Sequence, residues 1–100
     1  MEFLAEQYYM VRTYSAGVFA GYIEEIDIVN KIVRLKNARR IWRWEGAASL
    51  SQLAMEGTSN PKECKFPREV NEVILSNWIE IIPITIEAEA SIKKVKIWEQ

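Results

Sequence analysis

The stretch Gln7-Tyr8-Tyr9-Met10-Val11-Arg12-Thr13-Tyr14-Ser15-Ala16-Gly17-Val18-Phe19-Ala20-Gly21-Tyr22-Ile23 decides the fold. Tyrosine, valine and threonine crowd residues 7–14, and such side chains fit a pleated, half-buried surface. Ser15-Ala16-Gly17 is small enough to turn the chain, and residues 18–27 are again β-forming. Strands joined by so short a turn run antiparallel, because a parallel neighbour needs a crossover of about a dozen residues. A further turn at Val29-Asn30-Lys31 leads into a third strand from Ile32, where Val33 and Leu35 alternate with Arg34 and Lys36. The first third of the chain therefore reads as an antiparallel meander.

The alternation changes at Asn37-Ala38. Beyond it, Arg39, Ile41 and Arg43 share one face of a continuing strand, while Arg40, Trp42 and Trp44 share the other. Gly46 ends that strand. Ser49-Leu50-Ser51-Gln52 matches a capping box, with Ser49 serving the first free N–H groups and Gln52 reaching back. A short helix over residues 49–56 follows, with Leu50, Leu53 and Ala54 as its buried stripe and Gly57 as its stop. Residues 58–68 hold two of the three prolines and read as a loop. Residues 70–84 are strongly β-forming and split at Ser76-Asn77. Residues 87–94 suit a brief helix, acidic first and basic last as the helix dipole prefers, and residues 95–98 a final strand. The expectation is an α+β fold in a single domain, residues 1–100: a small, mainly antiparallel sheet with one or two short helices.

Composition narrows the function. With 49% apolar and 27% charged residues the chain is globular, and its formal net charge of −1 provides no field for long DNA or RNA. There is no histidine and one cysteine, Cys64, so the commonest general base and metal ligand are missing and the thiol lacks its usual activator. The pairs Glu24/Glu25 and Glu87/Glu89 read as solvated faces. No phosphate loop, dinucleotide fingerprint or metal motif occurs. The expectations are no enzyme, no catalytic residue, no metal and no cofactor. The acidic start is no signal peptide and no apolar run reaches spanning length, so the protein is expected in the cytoplasm and off the membrane.

One constellation carries chemistry. Arginine offers a planar fork for phosphate, tryptophan a flat face for a base, and a helix start adds free N–H groups. Arg39, Arg40, Trp42 and Trp44, the small turn Tyr14-Ser15-Ala16-Gly17, and the Ser49 and Gln52 helix start are the candidate nucleotide-binding residues. Each has a plainer reading: tryptophans as core with arginine stacked on them, a turn that needs only flexibility, and polar residues that only cap a helix.

The segments Thr13-Tyr14-Ser15-Ala16-Gly17-Val18-Phe19-Ala20-Gly21, Asn37-Ala38-Arg39-Arg40-Ile41-Trp42 and Trp44-Glu45-Gly46-Ala47-Ala48-Ser49-Leu50-Ser51-Gln52-Leu53-Ala54, followed by Cys64-Lys65-Phe66 and Glu80-Ile81-Ile82-Pro83, resemble a widespread family of small bacteriophage proteins. The resemblance covers roughly residues 8–98. It extends to the anti-CBASS sponges, phage proteins that sequester the cyclic dinucleotide messengers of bacterial immunity. It implies capture of a cyclic dinucleotide such as cyclic GMP-AMP without cleavage, a homotetramer, and residence in the host bacterial cytoplasm. The chain departs from the family at Arg43, where relatives carry tyrosine. A cyclic dinucleotide is large for so small a domain, so a site shared between subunits is the economical way to bury it. The rival readings are a phage structural or assembly protein using a flat tryptophan-rich face, a phosphodiesterase, and a short-RNA binder. The missing histidines argue against the second and the near-neutral charge against the third.

Overall fold

A computed structural model describes residues 3–99. The elements follow in the order β1 (Tyr8–Thr13), β2 (Val18–Asp27), β3 (Ile32–Arg40), α1 (Leu50–Glu56), a 3-10 turn (Pro61–Glu63), β4 (Val70–Ser76), β5 (Trp78–Pro83) and α2 (Ile86–Lys94). All strands pair antiparallel in one five-stranded sheet of order β4-β3-β2-β1-β5. The fold is α+β, as the turn spacing implies.

The sheet curls on itself. β4 and β5 are separated only by Asn77, yet β4 pairs with β3 and β5 with β1, at opposite ends of the strand order. One nearly continuous strand thus brings the two edges of the meander together. Asn77 sits at φ 57°, a left-handed conformation that asparagine tolerates better than most residues. Bulges supply the curvature: Ala20 pairs with Arg39 but Tyr22 with Lys36, so Gly21 opposes two residues of β3, and Asn37 takes φ 50° there. Gly21 permits the approach, because a Cβ at that position would stand 3.1 Å from the Ala38 Cα. The change of alternation at Asn37-Ala38 is this bulge.

Two apolar clusters follow from the curl. Tyr9, Val11, Phe19, Ile23, Val33, Leu35, Ala38 and Leu75 fill the concave side. Tyr8, Met10, Ala20, Ile41, Phe66 and Ile84 pack on the other side beneath Leu53 and Ala54 of α1 and Ala88 and Ile92 of α2. β1 contributes to both, so residues 8–11 are all buried. That doubly covered strand reads as a continuous apolar run, not as an alternation.

Four details differ from the sequence reading, two of them element boundaries. β3 stops at Arg40, because its neighbours run out: Arg40 lies opposite Phe19, the Ile41 N–H donates to Val18 O at 2.8 Å, and β4 begins at Val70 opposite Ala38. Arg43 keeps only an isolated bridge to Lys65. Residues 95–98 form no strand, only a bridge from Ile97 to Phe66. At α1 the Ser49 side chain caps the Gln52 N–H as expected, but the Gln52 side chain accepts from Ala48 N at 2.7 Å, one residue before the reciprocal capping partner. Leu50 is only half-buried, leaving Leu53 and Ala54 as the buried pair. Cys64 is buried within sulfur hydrogen-bonding distance of the Glu45 and Asn60 backbones, an ordinary packed thiol. Among the described residues no helix is long and apolar enough to cross a membrane.

Candidate functional site

The β1–β2 turn is fixed by Thr13. Its side-chain oxygen donates to Gly17 O at 2.8 Å and accepts the Ala16 N–H at 2.9 Å, a threonine turn that holds residues 14–17 in one shape. Gly17 has φ 89°, which excludes side chains with a Cβ at little strain. Arg40 leaves the end of β3 and reaches this turn: Nη1 donates to Ala16 O at 2.6 Å, and the guanidinium lies 4.3 Å from the centre of the Phe19 ring. Its remaining N–H groups face no acidic partner among the described residues.

These pieces line one cavity of about 410 Å³, formed by Ser15, Ala16, Gly17, Arg40, Trp42 and Trp44 with Val18 and Ile41. Trp42 is 63% exposed. Trp44 is half-buried against the helix-side cluster. The face shared by Arg40, Trp42 and Trp44 therefore survives although β3 ends before the tryptophans. A flat aromatic face, a guanidinium with donors to spare and a close-approach glycine turn suit a planar ring carrying a nearby anion.

Four of the sequence candidates stand apart. Arg39 is buried, and four of its five N–H donors are spent on the backbone: Nε on Pro67 O, Nη1 on Ile92 O, and Nη2 on Phe66 O and Val95 O. It clamps the end of α2 and the loop before β4, and the bulge at Asn37 is what turns it away from the cavity. Ser49 and Gln52 cap α1 and do not line the cavity. Tyr14 is 80% exposed and outside the lining set, its N–H held by Asn77 O at 2.9 Å. Arg43, where the family resemblance departs, pairs with Glu45 at 3.2 Å and also lies outside the cavity. Val18, Ile41, Thr13 and Phe19 are site residues that sequence reasoning missed. Only Thr13 carried a signal, a threonine placed where its hydroxyl can close a turn.

A second polar group lies under α2. The Tyr22 hydroxyl donates to Glu89 Oε2 at 2.6 Å, and Lys93 Nζ donates to both. Glu89 is thus a bonded, half-buried carboxylate and not the solvated face read from sequence. Burial alone would raise its pKa, but the bonds from Lys93 and Tyr22 hold it below the ordinary value. For Lys93 burial acts downward, and the bonds to Glu89 and Tyr22 raise it. Burial, then the bond to Glu89, pushes the Tyr22 phenol up.

A family described as a domain of unknown function, DUF6948, matches residues 6–92. The chain belongs to this family. No curated protein and no solved structure matches it. In this DUF6948 chain the matched span contains the whole sheet, both arginines and the cavity of Arg40, Trp42 and Trp44.

Proposed function

We propose that the protein binds a cyclic dinucleotide at the Arg40–Trp42–Trp44 cavity and holds it without cleaving it, as a phage sponge against CBASS signalling in the host bacterial cytoplasm. The observation that carries this reading is the pairing of an exposed tryptophan with an arginine that has no carboxylate partner among the described residues, over a glycine turn. Stacking a base on an aromatic contributes about 1–3 kcal/mol, and each hydrogen bond to a charged group roughly 1.5–3 kcal/mol. One cavity supplies one exposed indole face and one guanidinium, half of what two bases and two phosphates require. A two-fold copy supplies the other half, which makes a homo-oligomer part of the function and agrees with the tetramer that the resemblance implies.

The alternative, a phage structural or assembly protein, calls for a flat tryptophan-rich face with its arginines tied to glutamates. Arg43 with Glu45 has that character, but Arg40 does not, and the surface beside Trp42 is concave. Calorimetry with cyclic di-AMP and cyclic GMP-AMP tests the proposal, followed by heating and chromatography of what is released. Saturable heat and recovery of the intact ring are expected. No heat with either ligand, or recovery of linear products, ends the sponge reading and favours the assembly alternative.

A further inference from the structure

β4 is an open edge: one side pairs with β3, and no strand lies on the other among the described residues. An edge strand presents a row of unpaired N–H and C=O groups, a template for another strand. Proline, lysine and very short length are the usual means of refusing such a partner. β5, the opposite edge, carries Pro83, but β4 (Val70-Asn71-Glu72-Val73-Ile74-Leu75-Ser76) has neither proline nor lysine over seven residues. Its two faces differ. Leu75 is buried and Val73 half-buried against the concave cluster, while Ile74 on the outward face is 60% exposed.

We infer that β4 pairs antiparallel with β4 of a second copy about a two-fold axis at Ile74, joining two sheets into one. With Ile74 opposite its own copy, Val73 lies opposite Leu75 and Glu72 opposite Ser76. Within each chain Val73 pairs with Leu35, Leu75 with Val33, Glu72 with Lys36 and Ile74 with Arg34. The inward rows therefore run Leu35-Val73-Leu75-Val33 across the seam, apolar throughout, and extend the concave cluster. On the outward face Glu72 keeps Lys36 on its own side and meets only the Ser76 hydroxyl on the other. Ile74 meets Ile74, and Arg34 behind it pairs with Glu25 at 3.4 Å. No like charges stand opposite each other. Neighbouring registers do worse. An axis at Val73 sets Glu72 against Ile74 and Asn71 against Leu75, and an axis at Glu72 sets two carboxylates together. An axis at Leu75 pairs only residues 74–76.

No β4 residue lines the Arg40–Trp42–Trp44 cavity, and Arg34 precedes Arg40 by roughly 20 Å of strand. The seam is therefore a second interface. With the two-fold copy that completes the dinucleotide site, it gives a tetramer built from two kinds of two-fold contact. That tetramer rests on the proposed function, whereas the β4 seam stands without it. The experiment is light scattering of the full chain and calorimetry with cyclic GMP-AMP, for the wild type and Ile74→Lys, and oxidative cross-linking of Ile74→Cys and Val70→Cys. Ile74→Lys brings two ammonium groups together at the axis and leaves the buried face alone, so the mass should fall by half while nucleotide heat is kept. Cβ atoms directly opposite in antiparallel strands lie about 4.5–5.5 Å apart, so Ile74→Cys should form a covalent dimer under diamide. Val70→Cys, exposed on the same strand but outside the paired span, should not. A monomeric wild type, an unchanged mass in Ile74→Lys, or cross-linking of Ile74→Cys no stronger than that of Val70→Cys overturns the seam. A halved mass and a cross-link at residue 74 without nucleotide heat uphold the seam and end the sponge reading.

Discussion

Arg39 and Arg40 are consecutive in one strand and have opposite fates, and each supports a prediction. Arg39→Ala strips hydrogen bonds from the carbonyls of Phe66, Pro67, Ile92 and Val95 at once. Unfilled buried acceptors are expensive, so urea denaturation should show a loss of about 3 kcal/mol or more. Arg40→Ala gives up one bond to Ala16 and the contact with Phe19, so its cost should stay near 1 kcal/mol. Trp42→Ala, at an exposed site, should change stability by about 0.5 kcal/mol or less, while both variants lose dinucleotide affinity. The Tyr22–Glu89–Lys93 group predicts a pH profile. Glu89 has a lowered pKa, so its contribution is complete above the ordinary carboxyl value of about 4.3 and disappears as pH falls through the lowered folded value. Lys93 has a raised pKa, so its contribution is complete below about 10.4 and disappears as pH rises through the raised one. The stability difference between wild type and Glu89→Gln should therefore be flat near neutrality and shrink on acidification. A difference that grows toward low pH contradicts the assignment.

At the scale of elements, the single residue between β4 and β5 carries the closure. Asn77→Gly keeps the left-handed backbone accessible and should be nearly neutral, whereas Asn77→Val should cost roughly 1–2 kcal/mol and speed amide exchange in β5. Equal stability of the two variants would show that the strand does not need this conformation. Several elements were legible because local chemistry alone specifies them: β2 between its two turns, α1 from Ser49 to Gly57, α2 from its charge order, and the break at Ser76-Asn77. The end of β3 was not, because isoleucine and tryptophan remain good strand formers through Trp44. What stops the strand is the loss of a neighbour on each side, a fact of pairing and not of propensity. The same limit hid the division between the arginines. The change of phase at Asn37 is visible in the sequence, but which face meets α2 depends on contacts with residues 66–95.

At the scale of the molecule, apolar side chains remain uncovered. Trp42, Ile74, Ile79 and Ile86 are all 48% exposed or more, and the outer edges of β4 and β5 have no strand beside them among the described residues. Surface of this kind marks association sites, so light scattering at micromolar concentration should report a homo-oligomer, and a monomer with and without nucleotide would refute it. The candidate cavity was legible in its chemistry, an arginine and two tryptophans near a glycine turn. The double burial of β1 also sets an order of events on the ribosome. Tyr8 to Val11 are made before β5 and α2, which supply the cover they need. Until then the nascent meander exposes its stickiest strand and two bare edges. Translation that stalls before residue 70 therefore yields a fragment that chaperones must shield or proteases remove, and only β4, β5 and α2 release the domain from that hazard.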